Sequence, residues 1–247
     1  MRKLILHIPH SSTHIPLVDG YVVAETQLEL EIIKLTDWHT ADLFESKNDI
    51  EVIAPFSRIF CDVERFSDDS KEVMSKFGMG MLYTTLDCGD EMRKVTPKLR
   101  EKILKEYYNV HHEKLEKEVE KMINDVGSCL IIDCHSFPNI PLERSLDKRG
   151  GRPDINLGTD SFHTPQSVVQ LSEQFFKEKG FLVGIDYPYT GSIVPTKYYQ
   201  KNQDVSSLLV EVNRRLYLNQ GTNEKSERYN EIKTIISEYL ELIKKEI

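Results

Sequence analysis

Leu4-Ile5-Leu6-His7-Ile8-Pro9-His10-Ser11-Ser12 begins as a short apolar run and ends as a polar loop. The run has the length of a strand. Pro9, which lacks a backbone N–H and cannot continue a central strand, marks where it stops. His10 and two hydroxyls therefore stand where a buried strand gives out, the edge at which open α/β sheets place ligands. A second stretch has the same form: Cys129-Leu130-Ile131-Ile132-Asp133-Cys134-His135-Ser136-Phe137-Pro138. Two apolar strands that each deliver a histidine and then a serine to a strand end predict one shared site.

Working outward, residues 24–35 read as a helix with Leu28, Ile32 and Leu35 on one face. The following Thr36-Asp37-Trp38-His39-Thr40 reads either as a helix end with a packed tryptophan or as the source of a metal ligand. Residues 51–55 form a second short strand, which leads to Arg58 and Arg65 set among apolar residues. An arginine in that setting needs an anionic partner, because unpaired burial is costly. Asp62 and Glu64 offer one, and a carboxylate on a substrate offers the other. Residues 67–93, with three glycines and no clean period, resemble a long loop or lid.

Thr96 as N-cap and Pro97 at the first helical position open the longest helix, expected to run to about Asp125. Its buried stripe includes His111. The adjacent His112 points to another face, which excludes an i, i+4 metal pair and leaves both rings structural or exposed. Beyond the His135 strand come an irregular stretch over 138–151, a strand over 154–159 and a helix over 165–179. A strand over 181–185, a turn-rich loop at 188–192, a strand over 207–212 carrying Glu211, and an amphipathic helix over 224–247 complete the chain. Strands alternating with helices predict an α/β fold, one domain over residues 1–247, whose mixed, mainly parallel sheet is covered on both faces.

The 247 residues suffice for a substantial core, and 39% hydrophobic with 29% charged residues is ordinary for a soluble globular chain. No apolar run is long enough for a membrane span and the N-terminus lacks a signal-peptide pattern, so we expect a cytoplasmic protein with no membrane partner. A formal charge of -8 argues against nucleic acid as a partner. Cys61, Cys88, Cys129 and Cys134 show no C-x-x-C spacing and read as reduced, mostly buried thiols. Oligomeric state is left open.

Hydrolysing an amide near neutral pH needs an activated water, a base for its proton, and positive charge where the oxyanion develops. One Zn2+ ion held by three protein ligands meets the first need and part of the third, and histidine with carboxylate suits it. Glu211 is the candidate base, because a carboxylate within a strand is poorly solvated and its pKa rises. A structural alternative is that Glu211 pairs with Arg214 or Arg215. Arg58 is the candidate to polarise the scissile carbonyl and Arg65 to clamp a substrate carboxylate. A serine hydrolase is disfavoured, because Ser11, Ser12 and Ser136 lack a G-x-S-x-G elbow.

The motifs at 7–12, 36–39, 57–58, 62–66, 133–137, 154–159 and 211–217, taken in order, resemble the N-formylglutamate amidohydrolase family. That resemblance implies a three-layer α/β/α sandwich of zinc carboxypeptidase-like fold. It also implies a metal-dependent hydrolase acting on a small N-formyl or N-acyl amino acid. His135 would be a zinc ligand at the end of Asp133-Cys134-His135, Arg65 the carboxylate grip, Arg58 the polarising group and Glu211 the base. Ser11, Ser136 and Asn213, within the same motifs, are expected to contact substrate.

Two departures stand out. The wider zinc carboxypeptidase and aspartoacylase group, which that family resembles in fold, takes two ligands from His-x-x-Glu, but Thr13 follows His10 at that spacing, so Asp37 is taken as the third ligand with His39 as rival. Glu64 replaces the group's asparagine before the grip arginine. The substrate is therefore N-formylglutamate or another N-acyl amino acid or small amide. A protein that binds an acidic metabolite without metal is the rival of a different class.

Overall fold

The computed structural model describes residues 3–246. In chain order it forms β1 (Ile5–Ile8), α1 (Glu25–Leu35), α2 (Thr40–Leu43), β2 (Ile50–Ile53), α3 (Pro97–Ile103), α4 (Asn109–Val126), β3 (Cys129–Phe137), β4 (Ile155–Gly158), α5 (Gln166–Glu178), β5 (Val183–Ile185), β6 (Val205–Asn213) and α6 (Tyr229–Glu246). The strands make one sheet in the order β2-β1-β3-β6-β4-β5. Every neighbouring pair is parallel except β4 with β6. The α/β fold with a mixed, mainly parallel sheet is as the sequence led us to expect. The chain leaves β1 for β2 on one side and later returns to β3 on the other. That reversal opens a crevice at the carboxyl ends of β1 and β3.

Alternation along the strands sorts side chains between two helical layers. Ile5, Ile131 and Val205 face α4, whose Leu115, Val119 and Met122 pack on them. Leu6, Ile132, Leu208 and Val210 face α5 and α6, meeting Val168, Phe176, Ile236 and Tyr239. The sheet is thus the middle of three layers.

The helix expected over 96–125 is present with a defect. The Thr96 hydroxyl accepts from the Leu99 N–H at 3.2 Å, and Gly127, at φ 84°, donates to the Ile123 carbonyl at the far end. Between α3 and α4 a π-helical turn over Leu104–Tyr108 holds the two as one rod. The turn aims Tyr108 at the strand-end loops, where its hydroxyl donates to the Arg65 carbonyl at 2.8 Å.

Residues 67–93 are irregular as expected, apart from a 3-10 turn at Val73–Phe77, but they are not a free lid. Met79, Met81, Leu82 and Tyr83 are buried within the apolar clusters under this segment. Helix α6 begins at Tyr229, later than residue 224, because Leu218 and Lys225 form a bridge first. Cys61, Cys129 and Cys134 are buried free thiols and Cys88 is exposed. No helix among the described residues is long and apolar enough to cross a membrane.

Candidate metal and catalytic site

Pro9 stops β1 and turns His10 into the crevice, while β3 continues through His135. Both rings are buried, and their Nδ1 atoms face each other at 3.2 Å. Asp37 arrives from the α1–α2 connection. Its backbone N–H donates to the His10 carbonyl at 3.0 Å, and two residues on His39 takes a left-handed φ of 63° that reverses the chain. This tight path puts Asp37 Oδ2 3.2 Å from His135 Nδ1 and 3.7 Å from His10 Nδ1. His10, Asp37 and His135 thus offer one donor atom each within 4.8 Å of one another.

The far side of each ring is also fixed. His10 Nε2 lies 2.8 Å from Asp62 Oδ1, and His135 Nε2 lies 3.1 Å from Asp133 Oδ1. A carboxylate oxygen only accepts, so each Nε2 carries a hydrogen and Nδ1 is the nitrogen that each ring can offer to a cation. Two ring nitrogens and one carboxylate oxygen then converge, an arrangement that draws positive charge. Burial would lower the His135 pKa, but Asp133, Asp37 and Glu211 outweigh it and hold the pKa well above the ordinary histidine value. Burial would likewise raise Asp37, yet His10, His135 and Arg214 keep its carboxylate far below the usual range. The site is built for positive charge. Its donor set suits a zinc ion.

Glu211 stands beside His135 in the β3–β6 register, with Asn156 of β4 on its other side. Its side chain is buried and Oε2 has no hydrogen-bond partner among the described residues. Neither structural partner considered for it is free. Arg214 donates to Asp37 and Ser136, and Arg215 pairs with Asp154. Burial pushes the Glu211 pKa up to about 8, with His135, Arg214 and Arg58 opposing the rise and Asp37 adding to it.

Arg58 and Arg65 both lean on Asp62, with different closeness. Arg58 donates from Nε at 3.2 Å and Nη2 at 2.9 Å to Asp62 Oδ2, which also accepts from the Tyr83 hydroxyl at 2.7 Å. Its Nη1, 4.0 Å from Asp37 Oδ1, makes no hydrogen bond among the described residues. Arg65 stays 3.6 Å from Asp62 and 3.9 Å from Glu72, and its buried Nε is unpartnered. Its planar fork is therefore unsaturated.

Three other expected residues sit differently. Asn213 is fully buried, with Nδ2 donating to Asn139 and Pro153 and Oδ1 accepting the Arg215 N–H, so it acts as a cap in the fold and is turned away from solvent. The Ser136 hydroxyl accepts from Arg214, and its N–H donates to Asp37, which makes it a support for that carboxylate. His39 is not a rival ligand: its Nε2 lies 2.9 Å from the Asn223 carbonyl, away from the cluster. Ser11 follows His10, half-buried.

Tyr83 and Arg152 escaped the sequence reading, and Arg214 entered it only as a partner for Glu211, whereas it pairs with Asp37. Arg152 is 1% exposed and donates to the Pro138 carbonyl and the Tyr189 hydroxyl, with no carboxylate paired to it among the described residues. A buried guanidinium preceding Pro153 in a loop of charged residues carried no periodic signal.

The structure resembles a crystal structure of N-formylglutamate amidohydrolase from Ralstonia eutropha JMP134, with TM-score 0.85, 24% identity, and 100% of this chain and 95% of that one covered. A gene product of Agrobacterium tumefaciens aligns with TM-score 0.68 and 15% identity, over 97% of this chain and 90% of that one. At these identities the two structures speak for the fold alone. In sequence, an N-formylglutamate deformylase of Pseudomonas putida is 29% identical over 166 residues, 63% of this chain and 58% of that protein. The chain thus matches less than two thirds of that relative's length. The family model described as N-formylglutamate amidohydrolase matches residues 2–218, and the chain belongs to that family.

Proposed function

We propose that this chain is a zinc-dependent amidohydrolase that cleaves the amide bond of a small N-acyl amino acid, with N-formylglutamate the first candidate. The observation that carries the reading is the convergence of His10 Nδ1, His135 Nδ1 and Asp37 Oδ2 within 4.8 Å of one another in a buried crevice. The substrate class rests on the family and on the activity named for the Pseudomonas relative. Residues 1–247 are read as one domain, in line with a single sheet that draws on most of the chain. A reducing, cytoplasmic setting suits the four unpaired cysteines.

His10, Asp37 and His135 would hold the ion, which supplies a Lewis acid and makes water acidic near neutral pH. Glu211, buried and unpartnered at Oε2, is the base that takes the proton of the attacking water and returns it to the departing amine nitrogen. A cation held by His10, Asp37 and His135 would favour the ionised form of Glu211. Arg58 directs its free Nη1 at the oxyanion. Arg65 grips a substrate carboxylate with two parallel hydrogen bonds.

Metal analysis of the purified protein, with hydrolysis assayed on N-formyl, N-acetyl and longer N-acyl amino acids, tests this reading. One zinc per chain is expected, lost in His10→Ala and His135→Ala. Asp37→Ala should lose it too, and full occupancy in that variant would remove Asp37 from the ligand set. A protein that stays inactive on every substrate after zinc addition would favour a binding protein for an acidic metabolite.

A further inference from the structure

His7 interrupts the apolar run of β1 and is fully buried. In register it sits beside Asp133, and its Nδ1 lies 2.8 Å from Asp133 Oδ1. On its other edge, Nε2 lies 2.9 Å from His111 Nε2, which projects from α4. Asp133 Oδ1 is also the atom that receives His135 Nε2 at 3.1 Å, while Oδ2 accepts the Ile193 N–H at 3.2 Å. An unbroken chain, His111–His7–Asp133–His135, therefore runs from the helical layer through the sheet to the crevice.

The direction of each hydrogen bond follows from what can donate. Asp133 accepts only, so His7 Nδ1 and His135 Nε2 both carry hydrogens. One hydrogen must lie between the facing Nε2 atoms of His7 and His111. Burial, then the charge of His7, pushes the His111 pKa down to about 2, so that ring is neutral and accepts. Burial would lower His7 as well, but Asp133 and Glu64 outweigh it and raise the pKa to about 9, so His7 donates from both nitrogens.

We propose that His7 is a positioning residue for His135: held by His111, it fixes Asp133, and Asp133 holds Nε2 and the ring plane so that His135 Nδ1 faces the cation site. This rests on the zinc reading above. A second ion is the competing account, because His7, Glu64 and Asp133 also bring donor atoms within 4.8 Å of one another. Both nitrogens of His7 are already at hydrogen-bond distance from Asp133 and His111, however, so an ion there would have to displace a bond at 2.8 Å.

Two amide substitutions separate the links. In His7→Asn the amide N–H falls near the position of Nδ1 and keeps the bond to Asp133. In His7→Gln it falls near Nε2, which keeps His111 and abandons Asp133. Zinc affinity, read by competition with a chromogenic chelator, should weaken by ~10–100-fold in His7→Gln and stay within a few-fold of wild type in His7→Asn. Nitrogen NMR of the zinc-loaded wild type should show His135 protonated at Nε2, and a hydrogen on Nδ1 there would overturn the proposal. Equal zinc affinity in both variants, or equal losses in both, would overturn the proposal, since a purely structural role predicts no such asymmetry. Two zinc ions per wild-type chain, one of them lost in both variants, would also overturn it. A wild type that takes up no zinc would sink the zinc reading itself, a distinct outcome.

Discussion

The two faces of the sheet are built from the same strands and do opposite work. On the α4 face, alternate residues His7, Asp133, His135, Glu211 and Asn156 form a polar row across β1, β3, β6 and β4. On the other face their neighbours Leu6, Ile132, Cys134, Val210 and Leu157 lie in a continuous apolar core with α5 and α6. A period of two thus lets one strand carry both chemistry and stability. Substitutions in the apolar core against α5 and α6 should change stability with chemistry intact, and those in the polar row, beyond the Ile5, Ile131 and Val205 packing on α4, the reverse.

The largest expected effect falls on the apolar face. Leu208, fully buried on β6, points at α5 and α6 three residues before Glu211. Leu208→Ala should cost about 2–5 kcal/mol of stability through lost burial and a cavity. Zinc affinity and kcat of the folded fraction should be unchanged, as denaturant titration and kinetics below the transition would show. A fall in kcat at full folding would mean that the faces are coupled.

Glu211→Gln is the matching substitution on the polar face. It removes the proton acceptor and keeps the shape, so kcat should fall by about 10²-fold or more with zinc retained. Stability should hold or rise, because the amide relieves a buried carboxylate with an unpartnered oxygen. Turnover near wild type would return Glu211 to a structural role.

Within the polar face, Arg58 and Arg65 share Asp62 and differ in saturation. Arg65→Lys loses the planar fork and should raise KM several-fold for a substrate with a free carboxylate, with little change for the matching amide. Arg58→Lys should mainly lower kcat for both, since the oxyanion forms in the transition state. Kinetics on one acid and amide pair separate them. Equal losses on both substrates in Arg65→Lys would remove the clamp.

The strand-end histidines were legible because their signal is local: an apolar run, a proline or a short polar exit, and the ring between them. Asp37 needed the family resemblance, since nothing in Thr36-Asp37-Trp38-His39 says which side chain the reversal at His39 will turn inward. The antiparallel direction of β4 was not legible, because it depends on pairing with β6, which lies some fifty residues away in the sequence. Asn213 misled for a related reason: capping and ligand binding call for the same side chain, and only the positions of Asn139, Pro153 and Arg215 decide between them. His7 carried a readable sign, a titratable ring inside a four-residue strand, but its partners come from β3 and α4. Tyr83 reaches Asp62 from within the irregular segment over 67–93, where no period points.

The smallest expected effect lies outside both faces and tests whether buried ion pairs differ in kind from exposed ones. Asp42, at the surface junction of α2 and α6, accepts from Lys225, Lys233 and the Tyr229 hydroxyl, each at 2.6 Å. The side-chain bonds from Lys225, Lys233 and Tyr229, in that order, hold its carboxyl well below the ordinary aspartate pKa. A group with a depressed folded pKa stabilises above its unfolded value, near 3.8, and loses that contribution as pH falls towards the folded one. Its side chain is 39% exposed, so water and salt screen the cluster, and Asp42→Asn should cost only about 1 kcal/mol at neutral pH. The cost should vanish as pH drops through the aspartate range and shrink with added salt. Denaturant midpoints for wild type and Asp42→Asn at neutral and acid pH, at two salt concentrations, would show this. A cost that persists in high salt would mean that the cluster acts by fixing the start of α6 against α2, and that its geometry matters more than its charge.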